Sequence, residues 1–91
     1  MARATRTAVI GSRVGLHARP ASLFVQAVIA SAHEVTVTSD RGDVADGASI
    51  LSVLTLGAMF GESVTISVDG DNAERVADEL AALVASDLDA G

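Results

Sequence analysis

The spacing of apolar and polar residues changes several times along the chain, and each spacing predicts a different element of secondary structure. In the stretch 62–68, the apolar residues Val64, Ile66 and Val68 alternate strictly with hydroxyl-bearing residues, which is the period of a β-strand with one buried face. From residue 20 to about residue 31, apolar residues recur every three or four positions, the period of an amphipathic helix, and Pro20 falls in its first turn, where a helix tolerates proline. The same criteria predict strands over residues 7–10 and 34–39, a short extended piece reaching Val44, and helices over residues 50–56 and through residues 76–84.

Short polar clusters mark where these elements begin and end. Residues 40–43 form a turn cluster between two extended pieces, which predicts an antiparallel hairpin. Ser49 precedes the short helix and Gly57 follows it, as is typical of helix starts and stops. Asp71 and Glu74 have the spacing of a capping box at the start of the last helix.

The elements follow one another in the order βαββαβα. Strand–helix–strand units on either side of a hairpin predict a small antiparallel sheet with helices packed on one face. The expected fold class is therefore α+β, an open-faced sandwich of a four-stranded sheet and three helices. No internal repeat or linker divides residues 1–91, so we expect a single domain.

Composition limits the class of protein. Apolar residues make up 49% of the 91 residues and cysteine is absent, so we expect a packed core, while disulfides and thiolate metal sites are excluded. Apolar runs fall far short of the roughly 20 residues that cross a bilayer, and no secretory signal follows the first arginines. We therefore expect a cytoplasmic protein without membrane insertion.

Charge is distributed unevenly along the chain. The net charge is −6, yet residues 1–33 carry four arginines and no acid, whereas all 12 acidic residues lie from Glu34 onward with two arginines. An acidic chain with only two aromatic residues is poorly suited to nucleic acid, which is bound by basic and stacking side chains. The basic first third instead suits a small anion or an acidic partner surface.

The stretch richest in candidate chemistry lies just before the first long helix, where His17 precedes Ala18 and Arg19. A helix N-terminus presents unpaired backbone N–H groups and a positive dipole, so the amides of Ala18 and Arg19 could hold a dianion built on the histidine ring. The Arg19 guanidinium could pair with phosphate oxygens, and a neutral imidazole keeps a lone pair for attack on phosphorus. From the residues alone, a phosphate-handling site and an ordinary polar junction with a solvated arginine both stay open.

Residues 15–21, Gly-Leu-His-Ala-Arg-Pro-Ala, resemble the active-site signature of the HPr family, the histidine-containing phosphocarriers of the phosphoenolpyruvate-dependent sugar phosphotransferase system. Residues 48–57 resemble the short helix and regulatory-serine region of that family, and chain length and element order agree from about residue 5 to residue 84. The resemblance implies an HPr-like fold and a phosphoryl carrier that needs no cofactor. It further implies that His17 accepts the phosphoryl group on Nδ1 from phosphorylated enzyme I and donates it to a sugar-specific enzyme IIA, while Arg19 stabilises the phosphate.

Two positions depart from the family pattern. Val14 stands where members often carry a small polar residue three positions before the histidine, so a side-chain cap on the phosphate is missing there and the backbone N–H groups remain. Ser49 aligns with the serine that a dedicated kinase phosphorylates in some bacteria, but Ala48 replaces the basic residue common before it. Ser49 is therefore a candidate for regulatory phosphorylation by a serine kinase, with a helix cap as the alternative.

The short helix also predicts an exposed apolar surface beside the histidine. Its apolar residues lie on nearly all sides, and only one side can face the sheet, so apolar area should stay exposed. Such a surface would dock several proteins in transient complexes of a monomeric carrier. The alternative is that Met59 and Phe60 cover it. The predicted docking residues are Leu23, Ile50, Leu51 and Leu54.

Other kinds of chemistry find little support in the sequence. His33 has no metal-ligand spacing around it and is interpreted as a surface histidine. No self-contained catalytic pocket is expected, because paired carboxylates, a Ser-His-Asp order and a phosphate-binding glycine loop are missing. Two alternatives remain: an HPr paralogue of a regulatory branch, nitrogen-linked or linked to dihydroxyacetone kinase, and a small-molecule-binding regulatory module in which His17 is never phosphorylated.

Overall fold

A computed structural model describes residues 3–11, 15, 18–57 and 59–86, without the side chain of Ala18. Seven elements follow in the predicted order. In this part of the chain no helix is long and apolar enough to span a membrane. The strands are β1 (Arg3–Val9), β2 (Glu34–Ser39), β3 (Val44–Asp46) and β4 (Ser63–Asp69), and the helices are α1 (Ala18–Ser31), α2 (Ile50–Thr55) and α3 (Ala73–Ala85).

The strand β4 lies inside the sheet, although it follows the other three in the chain. The strand order is β1-β4-β2-β3, and every neighbouring pair is antiparallel. Ile66 of β4 lies opposite Arg6 of β1 on one side and Val37 of β2 on the other. The strand with the strictest alternation therefore has a paired neighbour at both edges, and β2 and β3 form the predicted hairpin.

The period-two pattern separates the two faces of the sheet. Val64, Ile66 and Val68 are almost fully buried on the face that the helices cover, where α3 contacts both β1 and β4. The other face carries hydroxyl groups, such as those of Thr5 and Ser67, whose oxygens lie 3.4 Å apart. The predicted α+β class, an open-faced sandwich of four strands with the helices on one face, is confirmed.

The core lies between the buried face of the sheet and the three helices. Phe24 and Val28 of α1 are each 1% exposed, and Val53 of α2 is 0% exposed. Ala77 and Leu80 supply the buried face of α3. Each large apolar side chain buried in this way stabilises the fold by about 1.5–3 kcal/mol, so these side chains hold the helices on the sheet.

Two elements begin earlier than the local pattern predicts. β1 begins at Arg3 rather than at residue 7, because it pairs residue for residue with β4 as far as Asp69. The pairing overrides the weak strand preference of this stretch. The helix α1 begins at Ala18, two residues before the predicted start.

The predicted capping box at the start of α3 is wrong. Asn72 is the N-cap residue, with a left-handed backbone (φ 59°, ψ 32°) and no capping bond from its side chain. Its carbonyl oxygen accepts the N–H of Val76 at 3.1 Å. Asparagine tolerates this backbone conformation better than most residues. Asp71 lies one residue too early to cap the helix, and its backbone carbonyl bonds His33 instead.

His33 is half-buried and joins two loops, so it is more than the surface histidine that the sequence predicted. Its Nδ1 lies 2.6 Å from the backbone oxygen of Ser31, and its Nε2 lies 2.5 Å from that of Asp71. Carbonyl oxygens only accept, so both bonds require the doubly protonated ring. The bond to the Asp71 carbonyl, and then the bond to the Ser31 carbonyl, raise the pKa of His33 above its usual value.

We predict that the stability contributed by His33 depends on pH. Because its folded-state pKa is raised, the contribution is fully present below the unfolded-state value of about 6.5 and is lost as pH rises through the folded-state pKa. The difference in urea midpoint between the wild-type protein and His33→Asn should therefore be largest near about pH 5.5 and shrink toward about pH 9. A difference that stays constant over this range would contradict the prediction.

Candidate functional site

The helix that follows His17 in the sequence begins at Ala18 and presents its positive end. Val14, Leu16 and His17 lie outside the described residues. The structure describes what surrounds the predicted acceptor, which is the end of β1, Gly15 and the helix α1. Arg19, the second residue of α1, is exposed, and the first turn of this helix contains no acidic residue. The N–H groups of a first turn have no carbonyl partner within the helix, and together with the dipole they favour an anion.

Pro20 anchors this end of α1. It is the third residue of the helix and is less than 2% exposed, and Ala21 beside it is 0% exposed. The missing N–H of proline costs no hydrogen bond in a first turn. Gly15, ahead of the helix, is buried with φ at 78°, a conformation that favours glycine. Packing therefore fixes the position of the helix end.

The chain leading toward His17 is first held by backbone hydrogen bonds at Ile10. The N–H of Ile10 donates to the carbonyl of Glu62 at 2.8 Å, and the carbonyl of Ile10 accepts the N–H of Gly61 at 3.1 Å. Ile10 is itself 1% exposed. The end of β1 is thus held by the loop that precedes β4.

Gly11 provides the next anchor. Its N–H donates to the carbonyl of Val84 at 3.0 Å, which joins it to the last turns of α3. A Cβ at position 11 would collide with the carbonyl oxygen of Ala85, so the close approach requires glycine. Residues 12–17 therefore connect two points, Gly11 and Ala18, that the core holds in place.

The helix α2 and the loop after it carry large exposed apolar side chains, those of Ile50, Leu51, Met59 and Phe60, which are together called the apolar surface. Leu51 is 73% exposed and Ile50 is 42% exposed. Met59 and Phe60 are 58% and 57% exposed, so they add apolar area to the surface instead of covering the helix. Single exposed apolar residues are common, but several large ones on one short helix and the loop after it make this part of the molecule a candidate docking surface.

Two of the predicted docking residues lie mainly inside the fold. Leu54 is half-buried and packs against the core, and Leu23 of α1 is also half-buried. The helices α1 and α2 contact each other, so the apolar surface belongs to a helix beside the one that follows His17. Ile50 and Leu51 are the predicted docking residues that the structure exposes.

Ser49 is the N-cap of α2. Its backbone is extended and its Oγ accepts the N–H of Ser52 at 3.2 Å. Its carbonyl accepts the N–H of Val53 at 3.0 Å, and its N–H donates to the carbonyl of Asp46 at 3.1 Å. The Asp46 carboxylate accepts the N–H of Ala48 at 3.0 Å. The predicted cap is therefore confirmed.

Comparison with known proteins relates this chain to the phosphocarrier protein HPr. The family described as "PTS HPr component phosphorylation site" matches residues 4–86. The phosphocarrier protein HPr of Streptomyces coelicolor is 43% identical over 86 residues, which cover 94% of this chain and 92% of that protein. HPr of Haemophilus influenzae is 40% identical over 70 residues, covering 77% of this chain and 81% of that protein. The crystal structure of HPr from Bacillus anthracis superposes with a TM-score of 0.85 at 31% identity, covering 92% of this chain and 99% of that chain.

The fold of four antiparallel strands covered on one face by three helices is that of a class of small phosphocarrier proteins. The chain belongs to the HPr family of the phosphoenolpyruvate-dependent sugar phosphotransferase system and is a phosphoryl carrier in that system. The resemblance carried by residues 15–21 and 48–57 is thereby confirmed. A small-molecule-binding module without phosphoryl transfer is no longer needed to explain the sequence.

Part of the apolar surface, and the contacts that hold it, could not be predicted from local sequence patterns. Met59 and Phe60 follow no helical or strand period, so only their position between Gly57 and Gly61 indicated a loop that could expose them. The carboxylate of Glu62 accepts the N–H of Met59 at 2.6 Å. Such a contact within a loop has no signature in the sequence. Among residues 3–11, 15, 18–57 and 59–86, no three potential ligands are grouped to hold a metal ion.

We predict that Ser49→Ala lowers the free energy of unfolding by about 1 kcal/mol, because the Oγ that caps α2 is lost. Ser49→Asn keeps a capping oxygen and should cost only a few tenths of that value. Urea unfolding of both variants measures the difference. Equal losses in the two variants would show that the side-chain oxygen does not stabilise the helix.

Proposed function

We propose that His17 is the residue on which this carrier receives and donates its phosphoryl group. The observation that supports the assignment is the first turn of α1, which begins directly after His17 in the sequence and contains no acid. The N–H groups of Ala18 and Arg19 and the helix dipole would stabilise a phosphoryl dianion there. In the transfer, the bond from phosphorus to a histidine nitrogen of the donor breaks as the bond to Nδ1 of His17 forms. The donor nitrogen, the phosphorus and Nδ1 would lie roughly in line.

Arg19 is proposed to assist this transfer. Its side chain is exposed on the first turn of α1, where a guanidinium could bond phosphate oxygens and neutralise charge during transfer. Of the four arginines in residues 1–33, Arg3 and Arg6 pair with Asp69 and Asp78. The local attraction for the phosphoryl group would therefore come mainly from Arg19 and the N-terminus of α1. Val14 leaves no side-chain hydroxyl three positions before His17, so backbone N–H groups and Arg19 would have to stabilise the phosphate without it.

The partners proposed for the transfer are phosphorylated enzyme I as donor and an enzyme IIA as acceptor, both in the cytoplasm. One exposed apolar surface, formed by Ile50, Leu51, Met59 and Phe60, would contact both in turn. A carrier must dissociate from each partner after transfer, so weak and short-lived complexes of a monomer suit the function.

Regulation by a serine kinase at Ser49 is a further part of the proposal. The hydroxyl already caps α2, and a phosphate at a helix start is favoured by the dipole. Ala48 offers no basic side chain next to it, however, and the carboxylate of Asp46 lies two residues before Ala48 and accepts its N–H. A phosphate on Ser49 would therefore be placed near a like charge, which weakens the gain from the dipole.

We predict that incubation with phosphoenolpyruvate, Mg²⁺ and enzyme I adds one phosphoryl group to the wild-type protein and none to His17→Ala. Mild acid should remove the group, because phosphohistidine is acid-labile whereas phosphoserine is not. Intact-mass analysis before and after acid measures both properties. The melting temperature of His17→Ala should match that of the wild type, which shows that the variant is folded.

A second variant tests the role of Arg19 in the same assay. Arg19→Ala should still accept the group but more slowly, because the acceptor remains and one phosphate contact is lost. Phosphate on His17→Ala, or none on wild-type protein with a demonstrably active cognate enzyme I, would overturn the assignment of His17.

We predict that Leu51→Glu raises the KM of enzyme I for this carrier by about tenfold or more, because a charge replaces an apolar contact at the docking surface. Ile29→Glu is the matched control. Ile29 is 62% exposed and lies about 16 Å along α1 from its first residue. Steady-state phosphorylation with varied carrier concentration gives both values. A similar KM for the two variants would exclude α2 from the docking surface.

A further inference from the structure

Arg41, in the turn between β2 and β3, reaches across to the loop between α2 and β4. Its Nη1 donates to Oε2 of Glu62 at 3.0 Å, and its Nη2 donates to the carbonyl of Leu56 at 2.7 Å. Leu56 is the C-cap residue of α2 and is 4% exposed. One guanidinium therefore holds the end of α2 and the last residue before β4 in a fixed relation.

The second oxygen of Glu62 extends this clamp to the apolar surface. Its Oε1 accepts the N–H of Met59 at 2.6 Å, and the N–H of Glu62 donates to the carbonyl of Met59 at 3.0 Å. The turn containing Met59 and Phe60 is thus closed by Glu62, whose carboxylate is in turn held by Arg41. We use the name clamp for the pair of Arg41 and Glu62.

The clamp also lies next to the chain that leads to His17. The backbone of Glu62 accepts the N–H of Ile10 at 2.8 Å, and Gly61 donates to the carbonyl of Ile10 at 3.1 Å. A displacement of Glu62 would therefore also shift the turn that contains Met59 and the end of β1.

The charges around Arg41 show why its loss would matter. Besides Glu62, the carboxylates of Asp40 and Asp43 lie 4.0 and 3.9 Å from its guanidinium. Without Arg41, three carboxylates would surround a position that holds no cation, and the carbonyl of Leu56 would lose its donor. The Arg41 side chain is 48% exposed, so the pair contributes little to global stability. Its effect should be local.

We propose that Arg41 is a positioning residue for phosphoryl transfer, which through Glu62 holds Met59 and Phe60 in the orientation that the phosphorylated donor protein contacts. The inference rests on the proposed function of the apolar surface as the docking site. It assigns to Arg41 a role in recognition, since the residue shapes the surface and need not touch the phosphate.

The experiment compares Arg41→Ala and Glu62→Ala with Arg75→Ala. Arg75 is exposed on α3, where it pairs with Glu79 at 3.8 Å, so its replacement makes the same change in net charge as Arg41→Ala, away from the clamp. We expect the KM of enzyme I for the carrier to rise about five- to tenfold in both clamp variants with kcat nearly unchanged, because docking is weakened and chemistry is not. The double variant should match a single one, because the two residues act as a unit.

Hydrogen exchange gives a readout that does not depend on transfer. The amide of Met59 should exchange faster in both clamp variants than in wild-type protein and Arg75→Ala, because its acceptor is displaced or removed. Arg41→Lys keeps one positive charge but cannot bridge both acceptors with a planar fork, so we expect only partial restoration of KM and of exchange.

Two results would overturn the inference. A KM for Arg41→Ala equal to that for Arg75→Ala would show that the clamp does not shape the docking surface. A raised KM for Arg41→Ala with a normal KM for Glu62→Ala would show that Arg41 acts by direct contact with the partner. Failure of the proposed docking surface would look different, since Leu51→Glu would then leave the KM unchanged, while exchange at Met59 would still report whether the clamp holds the loop.

Discussion

The structure depends most on the pairing of β4 at both edges. This strand is inserted between β1 and β2, and its alternate residues Val64, Ile66 and Val68 form the middle of the buried face. Because both outer neighbours are antiparallel to it, β1 and β2 run in the same direction, and α1 connects them across the gap that β4 fills. β4, the last strand in the chain, is therefore needed before β1 and β2 can belong to one sheet. Without β4 the helices would have no continuous surface to cover.

The same strand determines where the functional features meet. The loop before β4 bonds Ile10 at the end of β1, and α3, which follows β4, bonds Gly11. The short stretch that contains His17 therefore begins at an anchored point and ends at a helix whose Pro20 is buried. A carrier has to present one side chain to different proteins in the same way, and anchoring the flanking backbone is the physical means to do so.

Charge and apolar area are divided between different parts of the molecule. The first turn of α1 has no acid in a chain of net charge −6, which leaves a local preference for an anion at that end of the helix. The exposed apolar side chains belong instead to α2 and its following loop. In the proposed function, recognition of a partner protein and stabilisation of the transferred group therefore depend on different residues and can be altered separately.

Local signals in the sequence were sufficient for much of this description. The order of elements, the alternation that buries Val64 and Val68, the cap at Ser49 and the family signature at residues 15–21 all depend on neighbours within a few positions. Boundaries were less accurate, because the start of β1 at Arg3 is set by pairing with a strand about 60 residues away.

Contacts between residues that are distant in the sequence were decided by the tertiary structure alone. The bonds from His33 to Asp71 and from Arg41 to Glu62 span 38 and 21 residues. Neither His33 nor Arg41 belongs to a periodic pattern from which its partner could be predicted. Exposure is decided in the same way, since Leu54 and Leu51 are chemically identical and differ only in which side of α2 the sheet and α1 leave open. The sequence by itself therefore determined the elements and the family, while the protein surface and the contacts that shape it follow from packing, because burial is a property of the assembled fold rather than of any single segment.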